Sequence, residues 1–132
     1  MKSFPFLPTS KWLLLLQIAL GLFMMAHGSI RIYAGTVDGF GSFLNDNHFF
    51  IGRIIAWAIT LFEITGGFLL LMNRFKKVIC FLFILQLIMG IVLVHAANGW
   101  FVVGYSTGGM EYSVLLIVCF FLTASHQEPK TI

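Results

Sequence analysis

The stretch Ile51-Gly-Arg-Ile-Ile-Ala-Trp-Ala-Ile-Thr-Leu-Phe-Glu-Ile-Thr-Gly-Gly-Phe-Leu-Leu-Leu-Met72 decides the fold. It holds no proline, only Arg53 and Glu63 carry charge, and it matches the roughly 20 apolar residues that a helix needs to cross a bilayer. A helix is the natural state for such a run, because hydrocarbon leaves backbone N–H and C=O groups no partner except one another.

Three further apolar runs surround it. The first goes from Trp12 to Ala26 and should stay helical through Arg31 or Tyr33, since no proline or turn cluster intervenes before Gly35. Another runs from Val78 to Ala97, and the last, which is short, from about Met110 to Ala124. Asn73 to Lys77 makes a tight polar turn that forces its flanking helices to run antiparallel. The expectation is a single all-α domain over residues 1–132: a polytopic membrane four-helix bundle, its first helix retained, not cleaved as a signal peptide. Composition agrees, for 59% of the 132 residues are hydrophobic and only 10% charged, too few for a water-soluble surface. The net charge of +3 is therefore no nucleic-acid footprint. Cys80 and Cys119 lie inside apolar runs without neighbours at metal-ligand spacing, so neither a disulfide nor a local metal motif is indicated.

Charge sets the expected orientation. Lys2, Lys11, Arg74, Lys76, Lys77 and Lys130 fall in the N-terminus, the second loop and the C-terminus, whereas only Arg31 and Arg53 flank the other two loops. Basic residues concentrate in cytoplasmic segments, so both termini are expected inside and the longer loops, Ala34 to Phe50 and Asn98 to Gly109, outside. In the first of these, Phe40, Phe43 and Leu44 are spaced as on an amphipathic turn, which predicts a short interfacial helix. The second mixes glycines with Trp100 and Tyr105 and suits an aromatic cap at headgroup level.

Polar residues within the spans are the functional signal. An ionisable side chain at the centre of a span costs about 2.5 to 3.5 kcal/mol on insertion scales, which singles out Glu63. Trp57, Thr60, Gly66 and Gly67 are expected to share its helical face. His27, His95 and Glu111 each close or open a span at the outer boundary, with Arg31 one turn beyond His27 and Arg53 opening the second span. They are expected to converge on an outward-facing pocket floored by Glu63, Arg31 and Arg53 supplying counter-charges to Glu111 and Glu63. Each also has a plainer reading: an interfacial hydrogen-bonding histidine, a carboxyl bonded to a neighbouring helix, a helix N-terminal cap at Glu111. Gln17 and Gln86 read as interhelical hydrogen-bonders.

In order along the chain stand Gly21 with Ala26-His27-Gly28, a phenylalanine-rich loop, Phe62-Glu63-Ile64-Thr65-Gly66-Gly67, Asn73-Arg74, His95-Ala96-Ala97-Asn98-Gly99 and Gly108-Gly109-Met110-Glu111-Tyr112. This combination resembles the DoxX family of four-helix membrane proteins over nearly the whole chain. The family often has arginine where Gln17 stands and lysine where Arg31 stands. The resemblance implies a bacterial inner-membrane protein linked, in some relatives, to quinone-dependent thiosulfate oxidation, to terminal quinol oxidases and to redox-stress complexes.

Two functions follow from residues and resemblance together. One is a quinone-linked redox subunit in which Glu63, His27, His95 and Glu111 handle protons, while Arg31, Arg53, Asn98, Tyr112 and Trp57 contact the substrate. With no CxxC, CxxCH or nucleotide-binding glycine motif, its electrons must come through the quinone or a protein partner. The other is a non-enzymatic scaffold of a larger redox complex that packs through Gly66, Gly67 and Gly90. A metal held by the histidines and glutamates is a third reading, and membrane lipid surrounds the chain in every case.

Overall fold

The computed structural model describes residues 3–126, so Lys2 and Lys130 of the charge asymmetry lie outside the described residues. Helix α1 spans Thr9–Tyr33, α2 Val37–Asp46, α3 Gly52–Leu71, α4 Lys76–Gly90 and α5 Glu111–Ser125. A π-helical turn, Ile91–His95, and a 3₁₀ turn, Ala96–Asn98, carry α4 onward. No strand occurs among the described residues. The chain is thus an all-helical membrane protein. Three helices, Thr9–Tyr33, Gly52–Leu71 and Lys76–Asn98, are long and apolar enough to cross a bilayer, and α5 is apolar but shorter.

The helix ends sit where local chemistry places them. Past α1, Gly35 adopts φ +66°, and the Thr36 and Gly35 amides return to the carbonyls of Arg31 and Ile32. These are the paired bonds of a Schellman stop, whose left-handed residue favours glycine. Asn73 (φ +55°) ends α3 the same way, with Arg74 N–H bonded to Leu69 O and Asn73 N–H to Leu70 O.

The helices group into two units, Gly21–Arg74 and a second made of Met1–Leu20 with Phe75–Ile132. In the first, the end of α1 packs on α3 with close approaches of backbone to backbone at its glycines. A Cβ at Gly21 would lie 2.9 Å from Gly67 O, and one at Gly28 would lie 2.8 Å from Thr60 O. Gly21 and Gly28 stand two turns apart on α1, as do Thr60 and Gly67 on α3, so the two close approaches recur in antiparallel register. Helix α2 is the short helix expected in the first long loop. It buries Val37, Gly41 and Leu44 and meets α3 at Gly41, where a Cβ would lie 2.7 Å from Arg53 Cα. Asn45 Oδ1 accepts from Gly52 N–H at 2.8 Å, satisfying one of the amides left open at the start of α3.

In the second unit α4 and α5 bury Ile79, Cys80, Phe83 and Ile84 with Ser113, Leu116, Phe120 and Thr123. Phe83 and Phe120 meet at 5.2 Å between ring centroids. Gln17 of α1 is also buried. Near the far end of α5, Lys76 Nζ donates to His126 O at 2.7 Å.

Candidate functional site

Within the unit Gly21–Arg74, α1 and α3 approach closely enough for one guanidinium to reach across. Side chains on a helix lean toward its N-terminus, so Arg31 lies back over the turn that carries His27 and Gly28. It meets Glu63 there. Arg31 Nη1 donates to Glu63 Oε2 at 2.8 Å, and Nη2 donates to Glu63 Oε1 at 3.3 Å. This is the fork-on-fork pairing that makes arginine–carboxylate contacts specific as well as strong. The Glu63 side chain is 1% exposed and that of Arg31 is 14% exposed.

Three more residues complete the cluster. Arg31 Nη1 also donates to Thr60 Oγ1 at 3.0 Å, while Thr60 gives its own hydroxyl proton to Ala56 O at 2.7 Å. The Phe40 ring of α2 lies 4.8 Å from Arg31 Cζ, a distance at which the ring face attracts the cation. His27 Nδ1 stands 3.1 Å from Arg31 Nη2 and 3.5 Å from Glu63 Oε1. Arginine is only ever a donor, so Nδ1 must accept, and in the neutral ring the proton then resides on Nε2. That assignment makes the 3.5 Å approach to Glu63 a proximity, not a salt bridge. The His27 side chain is 67% exposed and is the accessible member of the cluster.

Two expectations are corrected here. Arg53 Nε pairs with Asp38 Oδ1 at 3.0 Å, an exposed contact between α3 and α2, while the counter-charge of Glu63 is Arg31. Asp38 lies in the first turn of α2, directly beside the start of α3, which explains the preference. Trp57 is exposed and does not share the buried face of Glu63. That face is Ala56, Thr60, Glu63, Gly66, Gly67 and Leu70, because six residues separate Trp57 from Glu63 and turn it about 120° away.

The four titratable candidates are divided between the units, His27 and Glu63 in one, His95 and Glu111 in the other. His95 Nδ1 donates to Gly108 O at 2.8 Å, which fixes the opposite tautomer from that of His27. Glu111, the first residue of α5, accepts from Val102 N–H at 2.9 Å through Oε1. Asn98 Nδ2 bonds Val94 O at 3.4 Å, and Tyr112 is half exposed. No group of three or more His, Cys, Asp or Glu side chains that could hold a metal ion occurs among the described residues.

Sequence reasoning placed Thr60 on the face of Glu63 without a role and gave Phe40 and Asp38 none in the site. The three-residue step from Thr60 to Glu63 was the available signal; a contact from another helix, as with Phe40, leaves no such trace.

No curated protein and no solved structure matches the chain. The DoxX family model does, over residues 12–96, a range that takes in His27, Arg31, Thr60, Glu63 and His95 and stops short of Asn98, Glu111 and Tyr112. With the match covering more than half of its length, this all-helical membrane chain belongs to the DoxX family.

Proposed function

We propose that the chain is a membrane redox subunit of the bacterial inner membrane that receives a quinone head group at His27, with Lys11, Arg74, Lys76 and Lys77 on the cytoplasmic side. The observation that carries this reading is the hydrogen-bond state of one imidazole. His27 Nδ1 is taken by Arg31, so its exposed ring offers an Nε2–H donor. A quinone carbonyl is an acceptor, and a donor backed by a buried ion pair is the partner it needs. When bound, the quinone supplies two-electron, two-proton chemistry, with electrons from a partner protein or a small sulfur donor.

The remaining residues set up that donor. Glu63 holds Arg31, Arg31 holds the tautomer of His27, and Thr60 and Phe40 keep the guanidinium in place. Buried as it is, Glu63 exchanges protons with a ligand only through His27 or a rearrangement of Arg31. His27 is the contacting residue in this reading, Glu63 and Arg31 the positioning ones. The test is binding of a short-chain benzoquinone analogue to the purified protein, followed by quenching of tryptophan fluorescence. His27→Ala should abolish saturable quenching while leaving the melting temperature nearly unchanged. Saturable quenching of equal affinity in His27→Ala removes the proposal.

A second reading, a non-enzymatic assembly partner, draws on Gly90. Gly67 is occupied by Gly21 and Met25 of the same chain, and Gly66 is buried, but a Cβ at Gly90 would meet nothing within 4 Å. Of the three glycines expected to face a partner helix, it is the one left open. Gly90→Leu should then abolish co-purification with a membrane partner and leave quinone quenching intact.

A further inference from the structure

Helix α4 with the π-helical and 3₁₀ turns that carry it to Asn98 is longer than α5, which lies in the same unit, and most of the difference falls at one end. Phe83 and Phe120 mark a common level, since their rings are in contact. Above that level the α4 run continues for 15 residues to Asn98, whereas α5 rises only 9 residues to its start at Glu111. At about 1.5 Å per residue these are roughly 22 Å and 14 Å. The first residue of α5 therefore lies about 8 Å below the end of the α4 run. Tilt shortens both distances alike and does not remove the difference.

The loop 99–110 fills this drop by folding back beside the last turns of α4. Gly108 O receives the Nδ1 proton of His95, and a Cβ at Gly108 would lie 3.4 Å from Asn98 Nδ2. The loop is laced to itself: Gly108 N–H to Val102 O, Gly109 N–H to Phe101 O, Met110 N–H to Gly99 O and Glu111 N–H to Trp100 O. Val102 N–H finds the Glu111 carboxylate and Ser106 Oγ donates to Phe101 O. The backbone at the two ends of the loop is thereby relieved of much of its need for water, whereas that of 103–107 makes no bond within the protein. From Ala96 to Met110 there is no charged residue, and Trp100, Phe101, Val103 (79%) and Tyr105 (94%) are exposed apolar or aromatic side chains, beside the exposed polar Asn98 and Thr107.

Measured from Lys76, a hydrocarbon core of about 30 Å extends along roughly 20 residues of helix, to the neighbourhood of Ala97. The start of α5 is then some 6 Å below that boundary. We infer that loop 99–110 is a re-entrant segment seated in the bilayer, with Val103 and its aromatic neighbours in the acyl and headgroup boundary, and that it completes the crossing that α5 is too short to make alone. Irregular backbone is tolerated at that depth where its polar groups are bonded within the protein, as they are where 99–102 meets 108–111, while the tip 103–107, whose backbone makes no such bond, is placed at the hydrated headgroup edge. The occupant of its exposed apolar face is lipid, continuous with the lipid around α4 and α5. Glu111 then lies at membrane depth, where Val102 N–H and the positive end of α5 hold its charge.

The test places a nitroxide at residue 103 in the full chain carrying Cys80→Ala and Cys119→Ala, reconstituted in liposomes, with a label at residue 46, on exposed Asp46, as the aqueous reference. Collision with oxygen should dominate collision with a water-soluble nickel chelate several-fold at 103, and the reverse should hold at 46. Chelate access at 103 equal to that at 46 overturns the inference. If the labelled variant does not fold, a single-tryptophan form, Trp12→Phe with Trp57→Phe, reports instead. Quenching of Trp100 by lipids brominated near the acyl-chain head supports the seat in the bilayer; quenching by aqueous iodide alone refutes it.

Discussion

Arg31 grips Glu63 with both arms of its guanidinium, Nη1 at 2.8 Å from Oε2 and Nη2 at 3.3 Å from Oε1, and so ties the end of α1 to the middle of α3. Because the carboxyl is sealed from solvent, the pair is worth more by the damage its loss does than by its net contribution. Removing one partner of a buried pair costs about 3 to 5 kcal/mol, while replacing both with apolar side chains of similar volume is often neutral. Arg31→Met and Glu63→Leu should each lower the melting temperature in detergent sharply, and the double variant should recover most of the loss. Two single losses that simply add would show that the side chains do not act as a pair.

The backbone contacts beneath that pair give a second, independent expectation. Gly28→Ala drives a methyl against Thr60 O and Ile64 Cγ1, and Gly67→Ala drives one against Gly21 O and Met25 Cγ. Each should destabilise by about 1 to 3 kcal/mol, the usual range for overpacking. Gly90→Ala meets nothing and should be neutral or up to about 1 kcal/mol stabilising, because alanine restricts the unfolded chain and favours helix. Melting curves of the three variants side by side decide it.

His27 and His95 should differ in tautomer. His27 accepts at Nδ1 from Arg31, and His95 donates from Nδ1 to Gly108 O. In their neutral forms, nitrogen NMR of the labelled protein should show a pyridine-type Nδ1 at His27 and a pyrrole-type Nδ1 at His95. The same tautomer at both would contradict the hydrogen bonding described. Arg31→Met should release the preference at His27 alone.

Surface and buried polar contacts should separate cleanly in stability. Arg53 and Asp38 are both mostly exposed, so Arg53→Ala should change stability by no more than about 1 kcal/mol. Glu111→Ala strips Val102 N–H of its acceptor, an omission worth about 1 to 3 kcal/mol where the group is out of water. That variant should also open the loop between Gly99 and Met110, read as faster backbone hydrogen exchange at Val102 and its neighbours.

How far the sequence reached can be judged at particular residues. Four apolar runs and the tight turn after Met72 were legible because a bilayer imposes length and hydropathy on any helix within it. The observed bounds Gly52–Leu71 and Glu111–Ser125 differ from the reading by one residue at each end, whereas α1 starts three residues early, at Thr9, and the run read as Val78 to Ala97 is α-helical only to Gly90 before its π and 3₁₀ turns. The helical extension of α1 to Tyr33 followed from the absence of any breaker before Gly35, and α2 from the spacing of its apolar residues. His27, Arg31 and Glu63 stood out because polar groups are costly in hydrocarbon, a penalty that acts on composition and needs no knowledge of neighbours.

What each polar group touches was a different matter. Hydropathy does not fix the rotation of a helix about its axis, and so the sequence could not choose between Trp57 and Ala56 for the face of Glu63. Nor could it assign Arg53 to Asp38, which depends on where α2 meets α3, or place Phe40 over Arg31. Spans, their boundaries and the identity of the polar residues were settled by the sequence because they rest on free energies of transfer, which are sums over residues. Partners, tautomers and the folding back of loop 99–110 were settled by tertiary structure, because they rest on distances and angles between segments far apart in the chain.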